Sequence, residues 1–292
     1  LKETTQDRAF GIFVGLTLTV ITIIVMYPLV YVLSASFSNP AAILRGELWL
    51  WPVEPTFEAY QSVMNNSDIW LGYRNTIIYT VLGTLFNLVL SVLVAYPLSR
   101  RDFHGRHVLT LFLVITMFFN GGMIPTYLLI RDLDMLNTIW AVIIPGAVSV
   151  YNVIVIRTFF QSIPEEMRES AQLDGCNNIQ YLTKILLPLS KPVLAVMVLF
   201  YGVSQWNAFF DALIYLTDRG LYPLQLFLRE MLIQDQMSEM IGISDATLER
   251  HMMRVEGIKY AVVIVASLPM LILYPFLQRF FVKGVMIGSI KG

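Results

Sequence analysis

Residues equipped for bond-making chemistry are few in this chain and poorly spaced for it. Two of its three histidines, His104 and His107, share a short turn with Arg100, Arg101 and Arg106, and His251 lies far downstream. No carboxylate cluster joins them at metal-ligand spacing, so no metal site is expected. The single cysteine, Cys176, excludes an intrachain disulfide and any all-cysteine metal centre. No glycine-rich phosphate loop is present, and no nucleophile motif organises a serine with a histidine and an aspartate. The expectation is a non-catalytic chain with no cofactor of its own.

A binding chemistry is easier to read. Tyr151 and Asn152 lie inside one long apolar run, and Gln205, Trp206, Asn207 and Asp211 inside another. Polar groups so placed usually face a bundle interior or a water-filled path. Aromatic rings beside amides and a carboxylate suit a sugar, whose apolar faces are rimmed by hydroxyls. The same residues serve equally as glue, Asn152 and Asn207 bonding adjacent helices while Trp206 fills the bundle. Asp211 would repel a uronate, which disfavours its direct contact with an acidic sugar.

The elements that must carry these residues are set by composition. Hydrophobic residues make up 56% of the 292 positions and charged ones only 14%, with a mean hydropathy of +0.64. This is far more apolar than an ordinary globular domain, and the bilayer is the expected solvent. A formal net charge of −1 gives no basic field for nucleic acid. A hydrocarbon core about 30 Å thick needs about 20 helical residues. Six stretches qualify: residues 10–35, 73–99, 108–130, 138–160, 192–216 and 257–281. The first is too long for a signal peptide and no small-residue cleavage site follows it cleanly, so it reads as a retained span. The sequence opens on Leu1 without methionine, which suggests a trimmed start.

Basic residues orient the spans. Arg100, Arg101 and Arg106 fall between the second and third, and Arg168, Lys184 and Lys191 between the fourth and fifth, which puts those loops in the cytoplasm. Both termini, with Lys2, Arg8, Lys283 and Lys291, then share that side. The outer side receives an aromatic segment with Trp49, Trp51 and Tyr60, which suits a membrane-surface anchor, and a loop over residues 217–256 expected to hold short helices. That loop is either a docking surface for an external partner or a lid of this subunit alone. Its arginines are mixed with acids in a long loop, where the charge rule loses force.

The cytoplasmic loop over residues 161–191 reads as a helical hairpin. Ser162 is placed to cap a first helix with Pro164 in its first turn. Met167, Ser170, Ala171 and Asp174 fall on one face at helical spacing, small enough for another body to approach. Gly175 then stops the helix. Asn177 caps a second helix whose Ile179, Leu182, Ile185, Leu186 and Leu189 form an apolar stripe. Taken alone, this could be an interfacial helix with no partner.

Glu169, Ala171, Asp174, Gly175, Ile185, Leu187 and Pro188 resemble the coupling-loop signature of ATP-binding cassette importer permeases: Glu-Ala-Ala, a glycine four residues on, then Ile-x-Leu-Pro. Ser170 departs from the usual alanine and Cys176 from a common one; both are small. The blocks "AYPLSRRDFHGR", "IPTYLLIRDLDMLNT", "LPLSKPVLA" and "WNAFFDALIYL" are similar to the maltose-type carbohydrate-uptake group, and "FFNGGMIPTYLL" and "LYPLQLFLREML" to its subset for complex oligosaccharides and polysaccharides such as alginate or pectin fragments. The resemblance implies a type I importer permease: an all-α membrane protein with six transmembrane helices and a cytoplasmic coupling hairpin, forming one permease domain over residues 1–292. It further implies a bacterial inner-membrane location and four kinds of partner: a homologous second permease, two ATPase subunits that hold ATP and magnesium, an external binding protein, and the saccharide. Glu169, Ser170, Ala171, Asp174, Gly175 and Pro188 would meet the ATPase, Ala171 as the close-packing point. The tail with Gly288, Ser289, Lys291 and Gly292 would enter the interface between the two ATPases. Tyr151, Asn152, Trp206, Asn207 and Asp211 are the candidate translocation path. Rival readings are a permease for a non-sugar solute, a membrane receptor or scaffold, and a secondary transporter. The last is disfavoured because Asp211 and Arg157 lie toward span ends rather than at mid-membrane.

Overall fold

The computed structural model describes residues 4–240 and 256–275, and every regular element among them is helical. The described residues fall into two compact units, residues 4–69 with 228–240 and 256–269, and residues 70–227 with 270–275.

In the first unit, α1 (Thr5–Ser36) is capped by reciprocal bonds between Thr4 and Asp7. None of its most apolar 18-residue window is buried, so the long side chains there face outward, as they would toward lipid. Thr17, Thr19 and Thr22 give their hydroxyls to the carbonyls of Phe13, Gly15 and Leu18, which satisfies them without water. At the far end the buried Ser34, Ser36 and Ser38 pin the following loop: Ser34 bonds the Leu50 carbonyl, Ser36 the Tyr60 hydroxyl and Ser38 the Val53 amide. Two short helices follow, α2 (Pro40–Leu44) and α3 (Glu58–Met64). The helix Glu256–Pro275 meets α2 so closely that a Cβ on Gly257 would stand 2.7 Å from Pro40 Cγ. Trp49 and Trp51 are 77% and 82% exposed, free to act as surface anchors.

The second unit is built on α4 (Ser67–Ser99) from Trp70 onward, α5 (Arg106–Phe118), α6 (Met123–Asp132), α7 (Ile139–Ile143) and α8 (Val150–Ser162). Then come α9 (Glu165–Leu173), α10 (Asn178–Tyr181), a π-turn over Leu182–Leu186, α11 (Leu187–Leu189), α12 (Lys191–Trp206) and α13 (Phe210–Tyr215). Its main core draws Val92 and Ala95 from α4, Val153 and Ile156 from α8, and Met197 and Tyr201 from α12. The helix Leu224–Met240 occupies much of the described part of the loop expected over 217–256, whose residues 241–255 lie outside the described residues.

The expected spans divide into two kinds. Those at 10–35, 73–99 and, as far as described, 257–281 are single helices long and apolar enough to cross a bilayer. The three between them are interrupted: 108–130 at Gly121, Gly122 and Pro125, which the sequence offers as a bend, and the other two contrary to the continuous runs expected. Residues 108–130 form α5 and α6, bent by 113°, because Gly122 takes φ +84° and Pro125 cannot donate to the carbonyl four residues back. Residues 138–160 form α7 and α8, parted around Pro145 and Gly146, with Ser149 capping α8. Residues 192–216 form α12 and α13, parted at 207–209.

Candidate functional site

The hairpin begins differently from the sequence expectation. Ser162 ends α8, its hydroxyl bonding the Phe159 carbonyl, and Pro164 stands at the N-cap of α9 with no side-chain cap. A hydroxyl that bonds backward within its own helix is spent before α9 starts. The stop is as read. Gly175 has φ +83°, its N–H bonds the Gln172 carbonyl, and the Cys176 N–H bonds the Ala171 carbonyl, the paired bonds of a Schellman ending. Asn177 caps α10 through a capping box with Gln180.

The two faces of the hairpin part company with the reading of its stripe. Ala171, only 4% exposed, belongs to the chain's own core with Phe160, Tyr181, Leu182 and Leu186. Its close packing within this chain is therefore internal. Ser170, Glu169, Asp174 and Pro188 are exposed. Ile179, in the first turn of α10, and Leu189 leave the expected stripe and are exposed; ahead of Leu189 a π-turn shifts the helical period, the Leu187 N–H reaching back five residues to the Leu182 carbonyl. Pro188, which lacks an N–H for the Lys184 carbonyl, follows directly. Leu173 is 90% exposed and Ile179 73%, so an otherwise polar tip carries two bare aliphatic side chains. Sequence reading missed Leu173; its place between exposed polar residues was the available signal.

On the other side of the same unit, a polar ladder runs up α4: Thr76, Thr80, Thr84, Asn87 and Ser91, at spacings that keep one helix face. Ser91 and the Tyr201 hydroxyl lie 2.5 Å apart, and Tyr201 also accepts the Ser149 N–H at 3.3 Å. Thr76 accepts the Leu224 N–H at 2.8 Å. Thr80 Oγ1, Thr84 Oγ1 and Asn87 Oδ1 are buried with no hydrogen-bond partner. Glycines let α12 close on this face, for a Cβ on Gly83 would stand 2.8 Å from Gln205 Cδ.

Asn87 opens onto a cavity of about 320 Å³ that is also lined by Ser149, Asn152, Ser204, Gln205 and Asp211. A second cavity, about 340 Å³, shares Gly146 and Asp211 with it and reaches Asn120, Gly122 and Thr126. Each helix interruption supplies wall: 119–122 through Asn120 and Gly122, 144–149 through Gly146 and Ser149, and 207–209 through Ala208. Irregular backbone at membrane depth is tolerated where it lines such a space.

Of the five path candidates, the structure brings Asn152 and Asp211 to this cavity. Trp206 is buried beside Tyr73, their rings 6.2 Å apart. Asn207 bonds the Val203 carbonyl of its own helix, and Tyr151 is 56% exposed. Neither Trp206, Asn207 nor Tyr151 is among the cavity's lining residues. Asn87 and its threonine ladder were missed in the sequence, although their spacing inside an apolar run was visible. The tail with Gly288, Ser289, Lys291 and Gly292 lies outside the described residues, as does His251.

Among the described residues no group of histidine, cysteine or carboxylate side chains could hold a metal ion. In the loop before α5, Arg100 binds Asp102 through two nitrogens, 2.8 and 2.5 Å away. That hydrogen-bonded pairing outweighs partial burial and holds the Asp102 carboxyl down to about 2. The Arg100 guanidinium is shifted up for the same reason.

Comparison with known proteins bears on the whole chain. Residues 69–287 match the family described as binding-protein-dependent transport system inner membrane component. Protein LplC of Bacillus subtilis is 39% identical over 100% of this chain and 98% of its own length. The polygalacturonan/rhamnogalacturonan transport system permease protein YtcP of the same organism is 38% identical over 98% of this chain and all of its own. A crystal structure of a bacterial ABC transporter involved in the import of the acidic polysaccharide alginate contains a chain that superposes with a TM-score of 0.86 at 33% identity, covering 96% of this chain and 99% of that one. Broken helices around a polar space, a helical hairpin and these likenesses agree: the chain belongs to the binding-protein-dependent transport system inner membrane components, as a non-catalytic permease subunit with the type I importer fold.

Proposed function

We propose that this permease moves an oligosaccharide or polysaccharide into the cytoplasm, with an acidic polymer of the alginate or pectin class as the first substrate to test. The observation that carries the reading is the cavity lined by the amides of Asn87, Asn152 and Gln205 and the hydroxyls of Ser149 and Ser204. Such amides and hydroxyls can exchange hydrogen bonds with the hydroxyls of a passing sugar. The acidic character is suggested by what the relatives transport, while Asp211 on both cavity walls argues for a neutral stretch of sugar at that point.

In this reading the chain is one permease domain in a bacterial inner membrane with both termini cytoplasmic. It pairs with a homologous permease, receives substrate from an external binding protein, and docks on two ATPase subunits that hold ATP and magnesium. Residues 161–191 are the coupling loop and 217–256 the external loop. Glu169, Ser170 and Asp174 face the ATPase with Leu173 and Ile179 as apolar contacts, Pro188 lies on the exposed return, and the tail from Gly288 to Gly292 enters the ATPase interface. ATP closes the ATPases, the hairpin moves with them, and the bundles reopen outward; such coupling requires the hairpin to be differently disposed in the two states.

The test is ATP hydrolysis by the complete importer in lipid, with neutral and uronate oligosaccharides presented on the binding protein. Stimulation by one class identifies the substrate. Hydrolysis indifferent to every sugar sinks the saccharide reading and favours another solute.

A further inference from the structure

Where the end of α4, the turn before α5, the end of α8 and the start of α9 meet, a pocket of about 310 Å³ opens. Arg100, Arg101, Arg106, Arg157 and Arg168 all line it. Two carboxylates stand nearby: Glu165, ion-paired with Arg168, and Asp102, ion-paired with Arg100. Arg101, Arg106 and Arg157 have no carboxylate partner among the described residues. Arg157 gives its Nε–H to the Leu98 carbonyl at 3.0 Å, and Arg106 gives its own to His107 Nε2 at 3.2 Å and an Nη1–H to the Arg100 carbonyl at 3.3 Å. Three guanidinium groups are thus concentrated around one concavity with their charge uncompensated. Like charges so placed repel, and a bound anion would relieve them.

The surroundings indicate which anion. The guanidinium fork matches phosphate oxygens, often two at a time. The pocket sits at the end of the apolar run of α4, the depth at which hydrocarbon gives way to headgroups. Beside it starts α5, which buries none of its residues; Val108, Leu111 and Phe112 are 58%, 60% and 62% exposed. A lipid could set its phosphate among the arginines and its chains along that helix. Basic pockets at helix ends recognise anionic headgroups in this way. We propose that the pocket binds a phosphate-bearing anion, supplied by the headgroup of an anionic phospholipid. Because Pro164, Glu165 and Arg168 form part of its wall, a bound phosphate would join the first hairpin helix to the α4–α5 turn. The assignment to the cytoplasmic leaflet rests on the proposed function; recognition of phosphate does not.

The experiment is arginine modification by phenylglyoxal, mapped by peptide mass spectrometry, on the complete importer in nanodiscs. Three conditions are compared: phosphatidylcholine alone, phosphatidylcholine with phosphatidylglycerol, and phosphatidylcholine with inorganic phosphate in the buffer. Phosphatidylglycerol should slow modification of Arg101, Arg106 and Arg157 about tenfold while Arg45 and Arg131 react as before. Protection by inorganic phosphate but not by phosphatidylglycerol overturns the lipid source. Unchanged rates in both conditions, or equal protection of Arg45 and Arg131, overturn the site. Sugar-stimulated hydrolysis is read in the same discs, so lost protection with intact stimulation counts against this inference alone.

Discussion

The hairpin over residues 161–191 and the cavity beside α4 belong to one unit, yet they treat polar groups in opposite ways. In the hairpin the turn is closed by its own bonds: Gly175 and Cys176 to the α9 carbonyls, Asn177 and Gln180 to each other's backbone, and Ala171 sealed beneath. Along α4, Thr80, Thr84 and Asn87 are buried with acceptors unused, and Asn87 also lines the cavity. A part that transmits motion benefits from internal satisfaction, because each capped terminus resists fraying. A part that lets a hydroxylated solute pass benefits from unsatisfied groups, because the solute completes them. The difference separates rigidity from readiness within one fold.

Substitutions can break this comparison, and the largest effect is expected at Gly175. A Cβ there meets nothing within 4 Å, so φ +83° is the whole constraint. A β-branched side chain in that conformation costs at least about 1–2 kcal/mol and would unseat the turn. Gly175→Val should abolish sugar-stimulated ATP hydrolysis with membrane insertion intact, whereas Gly175→Asn, which tolerates left-handed backbone, should keep much of it. Normal transport by the valine variant would refute the coupling role.

Next comes Asn87→Leu, which removes the buried, unpartnered Oδ1. Uptake should fall about tenfold or more while the melting temperature holds or rises, since leaving a buried polar group unpaired costs about 1–3 kcal/mol. A melting temperature lowered by several degrees, with uptake unchanged, would make the ladder structural. Smaller again is Asn177→Ala, which deletes the capping box and should cost about 1 kcal/mol. Partial loss of coupling, measured as ATP hydrolysed per sugar imported, is the expected result; no change would show that the second hairpin helix needs no cap.

The smallest effect concerns pH. Asp102 is held at about 2 against an ordinary value of 3.8, so the folded carboxyl is the more acidic. Its contribution to stability is fully present above the ordinary value and is lost as pH falls through about 2. Asp102→Asn should therefore leave the pH profile of thermal stability between 5 and 8 unchanged in shape. A new inflection in that window would assign Asp102 a different partner from Arg100.

Much of the fold was legible in the sequence because lipid imposes a strict rule on composition. The uninterrupted runs at 10–35 and 73–99 are whole helices in the structure, and Gly175 and Asn177 end and begin helices as their chemistry requires. Hydropathy could not show that the three central runs break, because an apolar residue has the same hydropathy in a helix and in the extended bend between two. The glycines at 121 and 122 and the proline at 125 marked one break, and Pro145 with Gly146 another, yet none of them states the angle, 113° at the first. The stripe read through Ile179 and Leu189 assumed an unbroken α-helical period, which a single π-turn shifts.

By itself the sequence determined that the chain is helical and lipid-embedded, and it located the hairpin. These follow from local composition, spacing and the conformational limits of glycine and proline. Only the tertiary structure decided that Ala171 packs inward, that Asn87, Asn152 and Asp211 share a wall, and that five arginines from the α4–α5 turn, α5, α8 and α9 line one pocket. Those outcomes depend on which helix faces meet across gaps of many residues, a property that resides in the packing of the whole unit rather than in any one segment.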